Sequence, residues 1–383
     1  MAQLKVALLD TSFSAIPLIE SLCLEKIELF VVGAKKNDFL CNLGQVNHIE
    51  MDYTNIKNLD AVLRDLSIER IIPGCNDVSF MSFLKLTNNY QFSEAKFDQI
   101  NNKNSFRTLC RKLDIPSPKI LENDKNLKNH KIIIKPELGF SGQGVTSFGK
   151  QSLTHQIDNA VAIAESFSRN KKAVIEEFID GQLFSISIFV REFKPTRVFV
   201  VKEFCLENPY AVNWSYIDER FTDQIQNCLQ DLLTELPRKL GMEKGLLHFQ
   251  CIKDIKDKIY FIEATSRCPG DLYPYLIELQ LGEHYSTFYL EQFIELDFIK
   301  VRPLRSSQFK IIRHTSSFYN RGTFIGFNHQ NRKTILSVPT LNFGETNDEG
   351  NKYRSGVHFY ATKSKAQFID KMISNSERVH KQI

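Results

Sequence analysis

Several familiar signatures are missing from this chain, and each absence removes a class of function. No CxxC pair occurs among its eight cysteines, which are scattered at 23, 41, 75, 110, 205, 228, 251 and 268. That excludes the spacing of a zinc ribbon and of a disulfide scaffold, and cysteines in apolar runs behave as small hydrophobes. A reducing compartment is expected. No apolar run approaches the roughly 20 residues that cross a bilayer. The opening MAQLKVALLD reaches an aspartate too soon for a signal peptide, so the expected location is cytoplasmic. Net charge is also scarce: 49 Lys+Arg against 45 Asp+Glu leave +4, with no basic run. Neither nucleic acid nor an anionic membrane is expected as a partner. Internal repeats, low-complexity tracts and the signature of a serine or cysteine triad are lacking too.

What is present is an ordinary globular mixture, 42% apolar and 25% charged over 383 residues, long enough for two or three domains and a substantial core. One stretch organises the rest: IIIKPELGFSGQGV, residues 132–145. Its β-branched start predicts a buried strand carrying Lys135. Its second half is a turn with Gly139, Ser141, Gly142 and Gly144. Glycines let a backbone come close to a phosphate with N–H groups pointing inward, and a lysine on the preceding strand supplies positive charge. The Walker loop ends Gly-Lys-Ser/Thr, whereas Gly144 is followed by Val145; the dinucleotide fingerprint does not fit either. A plain hairpin turn would use the same glycines.

Before this stretch the pattern alternates. Strands are expected at 5–9, 27–32 and 68–72, with helices at 16–24 and 58–66, which argues a parallel sheet covered by helices. Asp10-Thr11-Ser12 and residues 74–77 fall at carboxyl ends of strands, where such sheets bind ligands. A helix is expected at 101–113, carrying Lys103, Phe106 and Arg107. Beyond the glycine loop come a helix at 155–167 and a short strand at 173–175, then strands at 183–190 and 198–204, the latter antiparallel. A long helix follows at 222–240, interrupted by Pro237. Strands at 246–252 and 258–262, joined by a polar turn, put Gln250 and Glu263 side by side in a hairpin. A helix at 273–281 ends at Gly282. In the tail, 309–313, 322–327 and 333–338 read as strands, 342–355 as a loop or flap, and 363–381 as the solvated face of a terminal helix.

Two lysines, a glycine loop, an acidic-apolar crossing at 176–179 and a carboxylate beside an amide together suit a nucleotide and magnesium, which takes all-oxygen shells. The chain here resembles the ATP-grasp superfamily, the carboxylate–amine ligases that include D-alanine–D-alanine ligase, biotin carboxylase and carbamoyl phosphate synthetase. The resemblance covers roughly residues 1–300. It implies α/β and α+β architecture: an open parallel pre-ATP-grasp sheet over 1–97, a two-lobed ATP-grasp module over 98–300 with a nucleotide lid at about 131–181, and an α+β extension over 301–383. It also implies ATP as nucleotide, with Mg2+ or Mn2+.

The same resemblance assigns roles. Lys103 and Lys135 become the nucleotide lysines, and 139–144 the lid over the phosphates. Glu176, Glu177, Phe178 and Ile179 become the hinge that meets adenine, Glu176 through the amino group of adenine, and Phe178 and Ile179 through backbone and apolar contact. Gln250 and Glu263 become metal ligands, with Thr265 contacting metal through water, and Arg267 steadies an acyl phosphate or a substrate carboxylate. Two departures stand out. Leu183 occupies the place of a ribose-binding acid, so that Asp180 or another group substitutes or the ribose is held more loosely, and Thr265 replaces an asparagine. His248 shares a strand face with Gln250 by alternation, and is either an orienting group or a satisfied polar residue. In 267–273, Arg267 suits a carboxylate, Asp271 an amine and Tyr273 a ring or sugar face. The expected activity joins a small carboxylate (an amino acid or sugar acid) to an amine through an acyl phosphate, releasing ADP and phosphate. A homodimer is the expected assembly. The alternatives are an ATP-grasp carboxylase, a kinase-like enzyme, or a nucleotide-binding protein without turnover.

Overall fold

The computed structural model describes residues 3–87, 92–121, 127–151, 154–318, 321–327, 333–341, 344–347, 353–364, 366 and 369–370. The first part is a parallel sheet of β1 (Leu4–Leu9), β2 (Ile27–Gly33), β3 (Asn47–Glu50) and β4 (Arg70–Pro73), ordered β3-β2-β1-β4. Val6, Leu8, Val31 and Ile72 are sealed from solvent. A strand covered on both faces reads as a continuous apolar run, which is why β1, β2 and β4 were legible. The helices are α1 (Ile16–Glu20), α2 (Ile56–Asp65), α3 (Asp77–Leu86), α4 (Glu94–Asn101) and α5 (Lys103–Lys112). The expected helix at 16–24 stops at Glu20; β3, α3 and α4 were not anticipated. Asp10 staples the sheet's carboxyl edge, accepting hydrogen bonds from the amides of Ser12 and Cys75 at 2.8 and 2.9 Å.

A small second sheet, ordered β6-β5-β7, is built from β5 (Ile132–Pro136), β6 (Thr146–Phe148) and β7 (Ala173–Glu177), with α6 (Thr154–Phe167) packed on it. It has its own core of Leu121, Ile132, Ile134, Ile157, Ala160 and Ala164. The third sheet has eight antiparallel strands: β8 (Gly181–Arg191), β9 (Lys194–Phe204), β10 (Trp214–Tyr216), β11 (Gly245–Asp254), β12 (Ile259–Thr265), β13 (Lys310–Phe318), β15 (Lys333–Pro339) and β17 (Tyr353–Thr362). Its order is β12-β11-β8-β9-β10-β13-β17-β15, so it runs on past residue 300 without a break. The pair β14 (Gly322–Thr323) and β16 (Thr346–Asn347) forms a separate short ribbon, far less than a strand over 322–327.

On the large sheet lies α7 (Glu219–Lys239), whose buried Phe221, Ile225, Leu229, Leu233 and Leu236 recur at helical spacing. Pro237 does not interrupt it: the proline removes only its own N–H, and the Leu240 amide still donates to the Leu236 carbonyl at 2.9 Å. After it come α8 (Tyr273–Leu281), capped by left-handed Gly282, and α9 (Tyr285–Leu290). Much of the expected flap at 342–355 and nearly all of the tail at 363–381 lie outside the described residues. From Tyr353 the chain is strand.

Candidate functional site

The two lysines arrive on different elements. Lys103 is the first residue of α5, whose N-cap Asn102 accepts from the Ser105 amide at 2.9 Å. Lys135 lies on β5, two residues beyond Ile133, which faces Glu176 on β7. Lys135 Nζ stands 2.8 Å from Glu176 Oε2. Arg107, one helical turn after Lys103, brings Nε within 2.7 Å of Glu176 Oε1 and donates from Nη2 to the Ile262 carbonyl at 2.7 Å. Glu176 has no exposed surface. Burial alone would push its carboxyl up, yet Lys135 and Arg107 together hold it below the ordinary value. The Glu176 carboxylate is therefore committed to two cations in this structure. The Glu177 carboxylate is likewise engaged, accepting from the Lys119 amide at 3.0 Å. Phe178 lies under Lys131, with Nζ 4.6 Å from the ring centroid. Asp180 forms an exposed ion pair with Lys131 at 3.0 Å.

The glycine loop contains three left-handed residues, Ser141, Gly142 and Gly144, with φ of 57°, 67° and 67°. Such turns direct successive N–H groups toward an anion. Gly139 offers its carbonyl to Lys103 Nζ at 3.4 Å. The same Nζ is 3.2 Å from Glu263 Oε1, so one buried ammonium joins loop and large sheet.

Under the loop, one face of the large sheet carries a transverse polar row. In register, Arg313 faces Ser215 and Ser215 faces Glu203; Ser185 faces Gln250 and Gln250 faces Glu263. Gln250 donates from Nε2 to Glu203 Oε2 at 3.0 Å, which commits the amino end of the amide and turns its oxygen the other way. The Glu263 side chain is 43% exposed. Burial pushes the Glu203 carboxyl up, against hydrogen bonding from Ser185 and the charge of Arg313. A carboxylate beside an amide oxygen, with a further carboxyl behind, is an oxygen donor set that suits a hard divalent cation. Thr265 is drawn elsewhere: its hydroxyl donates to Asp77 Oδ1 at 3.2 Å and accepts from the Arg267 amide at 3.4 Å. It belongs to a knot with Asp77 and Arg267.

Arg267 Nε meets Asp77 Oδ1 at 2.9 Å. Burial would raise the Asp77 carboxyl, but Arg267 holds it down. Close by, Arg313 donates from Nε to Ser215 Oγ at 2.8 Å and from Nη1 to the Asp271 carbonyl at 2.9 Å. Arg354 pairs with the Asp271 carboxylate and lies over the Phe13 ring, 5.9 Å from its centroid. The Asp271 carboxylate, expected to suit an amine, is paired with Arg354 here. Asp271 and Leu272 both adopt φ of 55°, a strained pair for residues with a Cβ and held by these contacts.

His248 accepts or donates at Nδ1 with Ser187 Oγ at 2.9 Å. Burial first, then the charges of Arg267 and Arg313, push its pKa down to about 3. It is a neutral member of a buried network in which Tyr285 donates to Ser187 Oγ at 3.0 Å and Tyr273 lies 3.1 Å from Ser185 Oγ. The Tyr273 hydroxyl thus belongs to this network, and the residue is buried. Leu183 sits opposite Ile252 in the β8–β11 ladder. Sequence reasoning missed Arg107, Glu203, Arg313 and Arg354 as site residues, and reached Asp77 only as one of the residues at a strand's carboxyl end. The one signal available was a Lys202-Glu203 pair inside an apolar strand.

Residues 128–273 match a family model described as an ATP-grasp domain. Among curated protein sequences, none matches the chain. Three solved structures resemble it along nearly its whole length. The biotin carboxylase domain of Hydrogenobacter thermophilus 2-oxoglutarate carboxylase has a TM-score of 0.73 at 13% identity, covering 97% of this chain and 89% of that one. The L-amino acid ligase from Bacillus licheniformis gives 0.70 at 14%, covering 99% and 98%. The phosphoribosylglycinamide synthetase from Anaerococcus prevotii gives 0.67 at 14%, covering 97% of each.

Proposed function

We propose that this chain, whose fold is that of ATP-grasp enzymes, is an ATP-dependent carboxylate–amine ligase. It would convert a small carboxylate to an acyl phosphate and pass the acyl group to an amine, with release of ADP and phosphate. The observation that carries the reading is the polar row from Arg313 to Glu263 on the sheet face beneath the glycine loop, with Lys103 at its Glu263 end and Arg267, held by Asp77, just past the strand that carries Glu263.

Activating a carboxylate by phosphorylation concentrates negative charge on the transferred group, so catalysis needs positioned cations more than a nucleophilic side chain. Lys135 and the loop amides 139–144 would hold the phosphates of ATP. Glu263 and the Gln250 oxygen would hold Mg2+, which would supply positive charge against the phosphates. Lys103, fixed between Gly139 and Glu263, sets the distance between loop and metal edge. Arg267, oriented by Asp77, and Arg313, oriented by Ser215, direct cationic donors at the carboxylate substrate. His248 stays neutral and keeps the sheet face rigid.

The likeness to a biotin carboxylase domain favours one second reading, activation of bicarbonate instead of an organic acid. One assay separates them. Protein, Mg-ATP and pools of amino acids, sugar acids or bicarbonate are incubated, and nucleotides are resolved by chromatography. ADP and phosphate formed only with an organic carboxylate plus an amine support the ligase. Release of AMP and pyrophosphate overturns it, and turnover with bicarbonate alone moves the assignment to a carboxylase.

A further inference from the structure

The glycine loop leans on a rigid arm of the large sheet. Residues 205–213 leave β9 just after Glu203 and Phe204 and enter β10 beside Ser215, the partner of Arg313. Both ends of the arm are pinned. The Asn213 amide donates to the Phe204 carbonyl at 3.0 Å and its carbonyl accepts from Thr315 at 2.8 Å, while its side-chain oxygen accepts from Leu206 at 2.9 Å. The tip is folded on itself, with the Tyr210 amide donating to Asn208 Oδ1 at 2.9 Å.

That tip touches the small sheet at two points. β6 is an outer strand of its sheet, so outward N–H groups on it have no neighbouring strand to pair with. The Ser147 amide donates to the Tyr210 hydroxyl at 2.9 Å, and the hydroxyl donates on to Ser147 Oγ at 2.7 Å. One phenol thereby uses both its acceptor and its donor capacity on a single residue. At the second point Gly142 packs against the arm's main chain: a Cβ there would lie 2.5 Å from the Tyr210 carbonyl oxygen, and its φ of +67° also favours glycine. The small sheet has a core of its own, so contacts such as these govern how it sits on the large one.

We propose that Tyr210 is a positioning residue that latches the glycine loop shut over the nucleotide, acting through Ser147 and Gly142; this rests on the nucleotide reading above. The arm's roots lie next to Glu203 and Arg313, so the latch fixes the loop relative to the polar row. Losing two hydrogen bonds of ordinary strength opens such a contact about tenfold more often.

The test uses the full chain and Tyr210→Phe, which keeps the ring and removes the hydroxyl. Without nucleotide, subtilisin should cut within 138–143 about tenfold faster than in wild type at an unchanged Tm. With substrates, KM for ATP should rise about tenfold while kcat is unchanged or higher, a split that a merely structural loss would not produce. Ser147→Ala, which keeps the amide bond, should give a smaller shift in the same direction. Gly142→Ala should open the loop by collision and match or exceed Tyr210→Phe. Equal cleavage rates and equal KM for ATP in wild type and Tyr210→Phe would overturn the latch. Failure of wild type to bind Mg-ATP would overturn the nucleotide reading alone, because the cleavage comparison without nucleotide still judges the latch.

Discussion

Lys135 and Lys103 are buried to nearly the same extent, 7% and 6% exposed, yet their surroundings are opposite. Around Lys135 the charges close on themselves: Glu176 is wholly buried and gripped from both sides by Lys135 and Arg107. Around Lys103 they stay open, because its partner Glu263 is 43% exposed and stands at the end of the polar row. A buried charge that is fully paired fixes geometry, whereas a carboxylate at the edge of water retains lone pairs for a ligand. On the proposed function, the comparison separates residues that would hold the site from residues that would meet its substrates. Four experiments probe it.

The largest expected effect is at the open end. Glu263→Gln keeps the shape and removes the charge, so Tm should hold while turnover falls by several orders of magnitude, on the order of 10³. Gln250→Glu should be milder, since carboxylate is a common magnesium ligand. Full activity in Glu263→Gln would end the metal assignment. Next comes the closed end: Arg107→Met removes one grip on a buried carboxylate, and denaturant unfolding should show a loss of about 3–5 kcal/mol. An unchanged midpoint would mean that the closed cluster is not structural.

Lys135→Ala tests whether the closed end also touches nucleotide. Arg107 still neutralises Glu176 in this variant, so the protein should fold. Removing a charged hydrogen bond of about 1.5–3 kcal/mol should weaken Mg-ATP binding roughly tenfold to a hundredfold by calorimetry. Unchanged affinity would confine Lys135 to structure.

The smallest effect concerns His248. Its pKa is about 3 when folded, below its ordinary value of 6.5. The unfolded chain therefore takes up a proton that the folded one refuses, so this stability is complete above pH 6.5 and is lost as pH falls toward 3. Between pH 6.5 and 5, before Glu176 begins to protonate in the unfolded chain, wild-type Tm should fall more steeply than that of His248→Gln. Parallel slopes would show that His248 is not held neutral.

How much of this was legible in the sequence varies by element. β1, β2 and β4 were found because strands covered on both faces are uniformly apolar. β3, with its pattern of Asn47, His48, Ile49 and Glu50, was not, since a half-exposed edge strand lacks that run. The adjacency of Gln250 and Glu263 followed from hairpin spacing, and the register agrees. Thr265 and Asp271 were singled out, but their contacts with Asp77 and Arg354 join segments far apart in the chain and were not legible.

By itself, then, the sequence determined the local order: an apolar parallel sheet, a glycine turn behind a lysine strand, and a hairpin carrying an amide and a carboxylate. These follow from side-chain period and from the conformational freedom of glycine, which act over a few residues. Only the tertiary structure decided which charges are closed and which are open. Arg107 finds Glu176 across 69 residues, and Arg267 finds Asp77 across 190. A Coulomb interaction depends on distance and on exclusion of water, and both are set by how the three sheets pack together.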